Sequence, residues 1–170
     1  MTTQKGFGGR MNPRFSCLVI AAALGLIGCD DETEEVVTPA PSEGATVNVE
    51  VGSFFVRPSP TSVHQGEVRF VVSNVGTVMH EFLVVRTALA ADALPVNPNG
   101  TFNEEGEGVD VLDEIEDIDP GSTREITLTL DISHYALLCN LLVTDANGNT
   151  MAHYSEGMHA DFEVTDGITQ

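Results

Sequence analysis

The chain has 170 residues, of which 26 are Asp or Glu and only seven Lys or Arg, giving a formal charge of −19. One domain with tails fits that length, and 42% hydrophobic residues suffice for a core. The charge argues against nucleic acid, whose phosphates demand clustered Lys and Arg, and against docking on anionic lipid through a basic patch. Three cysteines do not make a disulfide scaffold, and the abundance of Val and Thr among 16 Gly and eight Pro points to an all-β domain.

Residues 1–28 read as a secretion signal. Lys5, Arg10 and Arg14 form a basic start, and Phe15 to Gly28 is an apolar run too short to span a bilayer comfortably. The end of this run, Leu26-Ile27-Gly28-Cys29, resembles a bacterial lipobox. The resemblance implies cleavage before Cys29, lipidation of its thiol, and anchoring at a membrane of the bacterial cell envelope, facing the periplasm or the outer surface. Asp30 resembles the inner-membrane retention signal of enteric bacteria. Cleavage leaves four arginines and no lysine against 26 acids, a charge of −22. It also leaves Cys139 as the one free thiol, a hazard in an oxidising compartment unless something occupies it.

Residues 29–44 are acidic and rich in Pro and Ser, a tether by composition that reaches at most about 50 Å. From Ala45 to the end at 170 the pattern is that of one domain. Val47, Val49 and Val51 share a face, as do Val68, Phe70 and Val72, then Phe82 and Val84. Ile126, Leu128 and Leu130 alternate with polar residues, Tyr135, Leu137 and Cys139 form another set, and Ala160, Phe162 and Val164 close the series. About seven to eight short strands with turns between them predict an antiparallel Greek-key β-sandwich. Thr87 to Asp119 interrupts the rhythm and is expected as a long crossover, with a short helix over Ala88 to Leu94.

Strand parity points His80 inward with Phe82 and Val84, at the start of a strand. Cys139 points inward with Tyr135 and Leu137, at the end of one. His153 and Met158 follow, spaced H-x4-M. Two imidazoles, a thiol and a thioether form a soft set suited to copper, with a trigonal His₂Cys plane and a weak axial Met.

The segments Asn74-Val-Gly-Thr-Val-Met-His80-Glu-Phe, Pro120-Gly-Ser, Tyr135-Ala-Leu-Leu-Cys139-Asn140 and His153-Tyr-Ser-Glu-Gly-Met158-His159 resemble the cupredoxins, the small blue copper proteins. The resemblance spans Ala45 to Val164. It implies one mononuclear type 1 copper ion, with His80, Cys139 and His153 as equatorial ligands and Met158 as the axial one. No second cysteine stands near Cys139 for a dinuclear centre. It further implies that His153, bordered by Tyr154 and Gly157, is the partly exposed electron exit. A hydrogen bond to the thiolate from Asn74 or Asn140 would raise the potential. Thirteen residues separate Cys139 from His153 where the family commonly has only a few. Asn147-Gly148 within this insert is a hairpin signal, so two strands are expected to run past the site and return.

His64 and His134 read as solvated turn residues, and His159 faces outward by parity. Met79 is expected to pack, while Met151 competes with Met158 for the axial position. The acids Asp110, Asp113, Glu114, Glu116, Asp117 and Asp119 do not follow an EF-hand order and read as a solvated edge. No second catalytic constellation stands out, so a one-electron carrier is expected rather than an enzyme. Its expected partner is a redox protein such as a cationic cytochrome, and its expected state is monomeric. Copper buffering or delivery without electron transfer is the alternative.

Overall fold

The computed structural model describes residues 44–145 and 147–167. The segment read as a signal peptide (1–28), the lipidation residue Cys29 and all of the tether except Gly44 lie outside the described residues.

The described residues form eleven strands: β1 (Ala45–Gly52), β2 (Phe55–Ser59), β3 (Ser62–His64), β4 (Gly66–Asn74), β5 (His80–Thr87), β6 (Val109–Ile118), β7 (Thr123–Leu130), β8 (Ser133–Leu138), β9 (Leu142–Thr144), β10 (Thr150–Ala152) and β11 (His159–Thr165). They build one sheet in the order β2-β1-β4-β7, another in the order β3-β11-β8-β5-β6, and the separate hairpin β9-β10. The sandwich is not purely antiparallel, since β1 pairs with β4 and β11 with β3 in parallel.

The alternation read along the chain becomes the core. Val47, Val49 and Val51 of β1 and Phe70 of β4 pack against Phe82, Tyr135, Leu137 and Phe162 of the facing sheet. Phe70 bridges the layers, with ring centroids 5.5 Å from both Phe82 and Phe162. Full burial of each such ring contributes roughly 1.5–3 kcal/mol.

Two expectations about the crossover are corrected. Ala88 to Leu94 forms turns, not a helix, and no helix occurs among the described residues. The segment is short and runs into Pro95, and its backbone groups bond to distant side chains. Ala91 N–H donates to Asp161 at 2.8 Å, Leu94 N–H donates to the Tyr154 hydroxyl, and that hydroxyl donates to the Ala91 carbonyl. Residues 109–118, read as part of the interruption, form the ten-residue strand β6. Its register against β5 slips between His80 and Phe82 and again between Val84 and Val85. These irregularities place Val111, Ile115 and Ile118 at a spacing that hides the two-residue period of a strand.

The crossover covers the outer face of the five-stranded sheet. Ala91, Leu94 and Phe102 join Leu83, Val85, Ala136, Leu138 and Tyr154 in a second apolar cluster. Strands β5 and β8 are thus buried on both faces, and these two strands lead into the site.

Candidate metal centre

His80 opens β5 and Cys139 follows the last residue of β8, so the pairing of these neighbouring strands brings both to one end of the sheet. His153 returns through the hairpin, where β9 and β10 pair from Leu142↔Ala152 to Thr144↔Thr150. The turn is closed by Asp145, whose carboxylate accepts the N–H groups of Asn147 and Asn149 at 2.8 and 2.9 Å. The insert therefore leaves and rejoins the site without displacing its ends, and the His153 N–H donates to the Leu141 carbonyl at 2.9 Å. Beyond it the loop is tight. The Met158 N–H donates to the His153 carbonyl at 3.1 Å, and the Cys139 N–H donates to the Met158 carbonyl at 3.0 Å.

Three side chains converge. The donor atoms of His80, Cys139 and His153 all lie within 4.8 Å of one another. The two histidine Nδ1 atoms are 3.2 Å apart, and the Cys139 sulfur lies 3.3 Å from Nδ1 of His153 and 3.9 Å from Nδ1 of His80. Relative exposures are 0% for His80, Cys139 and Met158 and 2% for His153. Met158 lines a small cavity of about 80 Å³ together with His80, His153, Met151, Val78, Ser53 and Phe54. Both methionines considered for the axial position thus border the same space. His153 is covered, contrary to the expectation of a partly exposed exit, because the hairpin that delivers it also places Met151 over the cavity.

The hydrogen bond expected at the sulfur comes from a different group. The Glu81 backbone N–H donates to Sγ of Cys139 at 3.4 Å. Asn74 is buried and spends its amide on the loop before His80: it donates to the carbonyls of Val78 and Ile118 at 2.8 and 2.7 Å, and its oxygen accepts the Gly76 N–H. Asn140 ties the site to the crossover. Its oxygen accepts the Phe102 N–H at 2.6 Å, its amide donates to the Phe102 carbonyl and Glu104, and its backbone N–H donates to Glu81. Neither amide is the sulfur's donor; both position the loops that hold the ligand side chains.

Burial also sets the protonation of the group. Burial, with His153 close by, pushes the His80 imidazole down to about 4, and burial lowers His153. Both rings are therefore neutral at physiological pH, with a lone pair to offer. Burial pushes the Cys139 thiol up to about 12 against the opposing Glu81 and Leu141 backbone hydrogen bonds, so a thiolate here demands a cation beside it. Nε2 of His80 is the buried side-chain atom left without a partner among the described residues. Donation from Nδ1 to a metal requires the ring proton to sit on that atom. Two neutral imidazoles, a thiol and a thioether, with no carboxylate lining the cavity, fit one type 1 copper ion.

The other histidines stay apart from this group. His64 is exposed and bonds to Thr165, and His159 packs its ring 5.3 Å from Tyr154. His134 lies within β8 and not in a turn; it is half-buried, with Nε2 2.9 Å from Asp161.

The fold is that of the cupredoxins. Auracyanin from Roseiflexus castenholzii superposes with a TM-score of 0.50 at 19% identity, over 71% of this chain and 97% of that one. Auracyanin A, a "blue" copper protein from Chloroflexus aurantiacus, matches with a TM-score of 0.46 at 18% identity, covering 72% and 100% of the two chains. A multi-copper oxidase from Pediococcus acidilactici matches with a TM-score of 0.38 at 18% identity, covering 86% of this chain and 29% of the oxidase. No family model matches the chain, and no curated protein matches it either.

Proposed function

We propose that the protein is a mononuclear type 1 copper protein carrying single electrons, with His80, Cys139 and His153 as equatorial ligands and Met158 as the axial one. The observation that carries this reading is the convergence of two imidazole Nδ1 atoms and one thiol, within 4.8 Å of one another, in a buried pocket. Bound copper would supply the Cu(II)/Cu(I) couple. The chain supplies a donor frame on strands packed on both faces, and the Glu81 N–H eases negative charge on the sulfur. Donors buried to 2% exposure or less favour electron transfer through the protein shell over turnover of a substrate at the metal. One observation favours the second reading, copper buffering or delivery: Met151 places another thioether on the cavity wall.

The acids of β6 suit a cationic redox partner such as a cytochrome. The apolar residues Phe54, Val75, Val78 and Met79, 39–57% exposed, suit a contact surface for it. In this reading Cys29 carries the lipid that holds a monomeric domain at the envelope membrane, on an acidic tether.

Copper(II) added to the purified domain is expected to give an intense visible sulfur-to-copper charge-transfer band with narrow hyperfine splitting, absent in Cys139→Ser. A pale, ordinary Cu(II) spectrum overturns the carrier reading. Reduction by a basic cytochrome that is insensitive to salt removes the acidic surface from docking. An unmodified Cys29 in the mass spectrum of the mature protein removes the anchor.

A further inference from the structure

Phe54 holds a backbone conformation that its residue type disfavours. Gly52 and Phe55 are paired across the β1–β2 hairpin, so Ser53 and Phe54 form its two-residue link. Phe54 has a φ of +68°, the left-handed region where Cβ crowds the following carbonyl and where Gly or Asn is usual. Burial does not offset that cost, since Phe54 is 50% exposed. A non-glycine residue kept in this region, without a core to fill, marks a position where placement matters more than stability.

The turn is placed over the candidate metal centre. Ser53 and Phe54, with Val78 and Met151, line the cavity of about 80 Å³ whose remaining walls are the buried His80, His153 and Met158. The loops around the turn are close-fitting. The Val75 N–H donates to the Val51 carbonyl at 2.9 Å. A Cβ built on Gly76 would lie 3.2 Å from Cα of Gly52, and one on Gly157 would lie 3.6 Å from the Phe54 carbonyl oxygen. The hairpin tip therefore sits against both the loop before His80 and the loop that carries Met158.

We propose that Phe54 is the residue that decides what reaches the metal donors: it closes the cavity against water and small anionic ligands. The centre then exchanges electrons without taking up an exogenous ligand. This inference rests on the reading of the site as a copper centre. The cavity of about 80 Å³ is large enough to admit water, and removal of the aromatic ring gives a linear triatomic anion such as azide a way in.

Two substitutions test this. Phe54→Gly relieves the backbone strain and opens the cavity; Phe54→Ala opens it and keeps the strain. In the metal-free protein, Phe54→Gly is expected to melt no lower than the parent and above Phe54→Ala. On copper-loaded protein, both variants are expected to gain an azide-dependent charge-transfer band that the parent lacks. On metal-free protein, diethyl pyrocarbonate is expected to modify His80 and His153, followed by mass spectrometry, at least about tenfold faster in both variants. Azide binding by the parent equal to that of the variants overturns the proposal, as does unchanged histidine modification. A parent that gives no thiolate band with copper defeats the reading of the site instead, and histidine accessibility in the metal-free protein still decides the role of Phe54.

Discussion

The backbone N–H of Glu81 donates to the sulfur of Cys139 at 3.4 Å, across 58 positions of sequence. The residue that follows one imidazole thus supplies a hydrogen bond to the thiol. The link is doubled, because the Glu81 carboxylate accepts the N–H of Asn140, the residue after the thiol, at 2.7 Å. The ends of β5 and β8 are laced together next to the donors, and movement of one carries the other.

Asn140 extends that lacing to the crossover, and Asn140→Ala leaves the Phe102 N–H without its partner and takes one of two donors from the Phe102 carbonyl, which keeps the Asn97 amide. The expected cost is about 1–3 kcal/mol, the penalty of one unpaired N–H at a mostly buried position. Urea unfolding of the metal-free protein measures it. A loss below a few tenths of a kcal/mol would mean that the crossover is held by Phe102 and Leu94 packing alone.

Asn74 satisfies two carbonyls and one N–H while itself 1% exposed. Asn74→Ala is expected to destabilise the domain by about 2–4 kcal/mol and to weaken copper retention against a chelator, since the loop before His80 loses its support. Asn74→Asp is expected to be no better, because it turns acceptors toward two carbonyl oxygens. An Asp variant as stable as the parent would contradict this account.

Met158→Leu removes the thioether but conserves the bulk, so unfolding of the metal-free protein is expected to change by less than about 1.5 kcal/mol. If Met158 is the axial donor, the potential rises, because the oxidised ion loses a ligand. A shift of about 59 mV corresponds to a tenfold change for one electron. Voltammetry on Met158→Leu and Met151→Leu in parallel tells which methionine serves: the effect belongs to Met158, and an equal or larger shift in Met151→Leu would reverse the assignment.

Glu114 on β6 has a carboxyl raised above its ordinary 4.5, first by desolvation and then by Glu104, Glu116 and Asp113. Folding therefore favours its protonated form. Its contribution to stability is intact below the unfolded value and is lost as pH rises through the higher folded value. Glu114→Gln is expected to raise the melting temperature at about pH 7, within the ±0.5 kcal/mol usual for surface changes, and to leave it unchanged at about pH 4. Added salt should shrink the gain. A lower melting temperature for the variant at neutral pH would refute the repulsion.

Period-two alternation sufficed to assign Val47, Phe70, Phe82, Leu137 and Phe162 to one core, and the parity of His80 and Cys139 anticipated their inward direction. Strand β6 escaped because its bulges put Val111, Ile115 and Ile118 out of phase with any regular period. The donor to the sulfur escaped for another reason. A backbone N–H carries no residue signature, so Glu81 was invisible and the amides of Asn74 and Asn140 were the natural candidates. The burial of His153 depends on where the hairpin among the thirteen residues between Cys139 and His153 folds back, which local pattern does not encode.

The double burial of β5 and β8 has a mechanical consequence. Leu83 and Val85 point into one apolar layer while Phe82 and Val84 point into the other, and Leu138 and Leu137 do the same on β8. Amide hydrogens along these strands are therefore expected to exchange only when the whole domain opens. In the proposed carrier, His80 and Cys139 at the ends of these strands are held by a doubly packed frame, which limits how far those two donors shift with the charge of the metal.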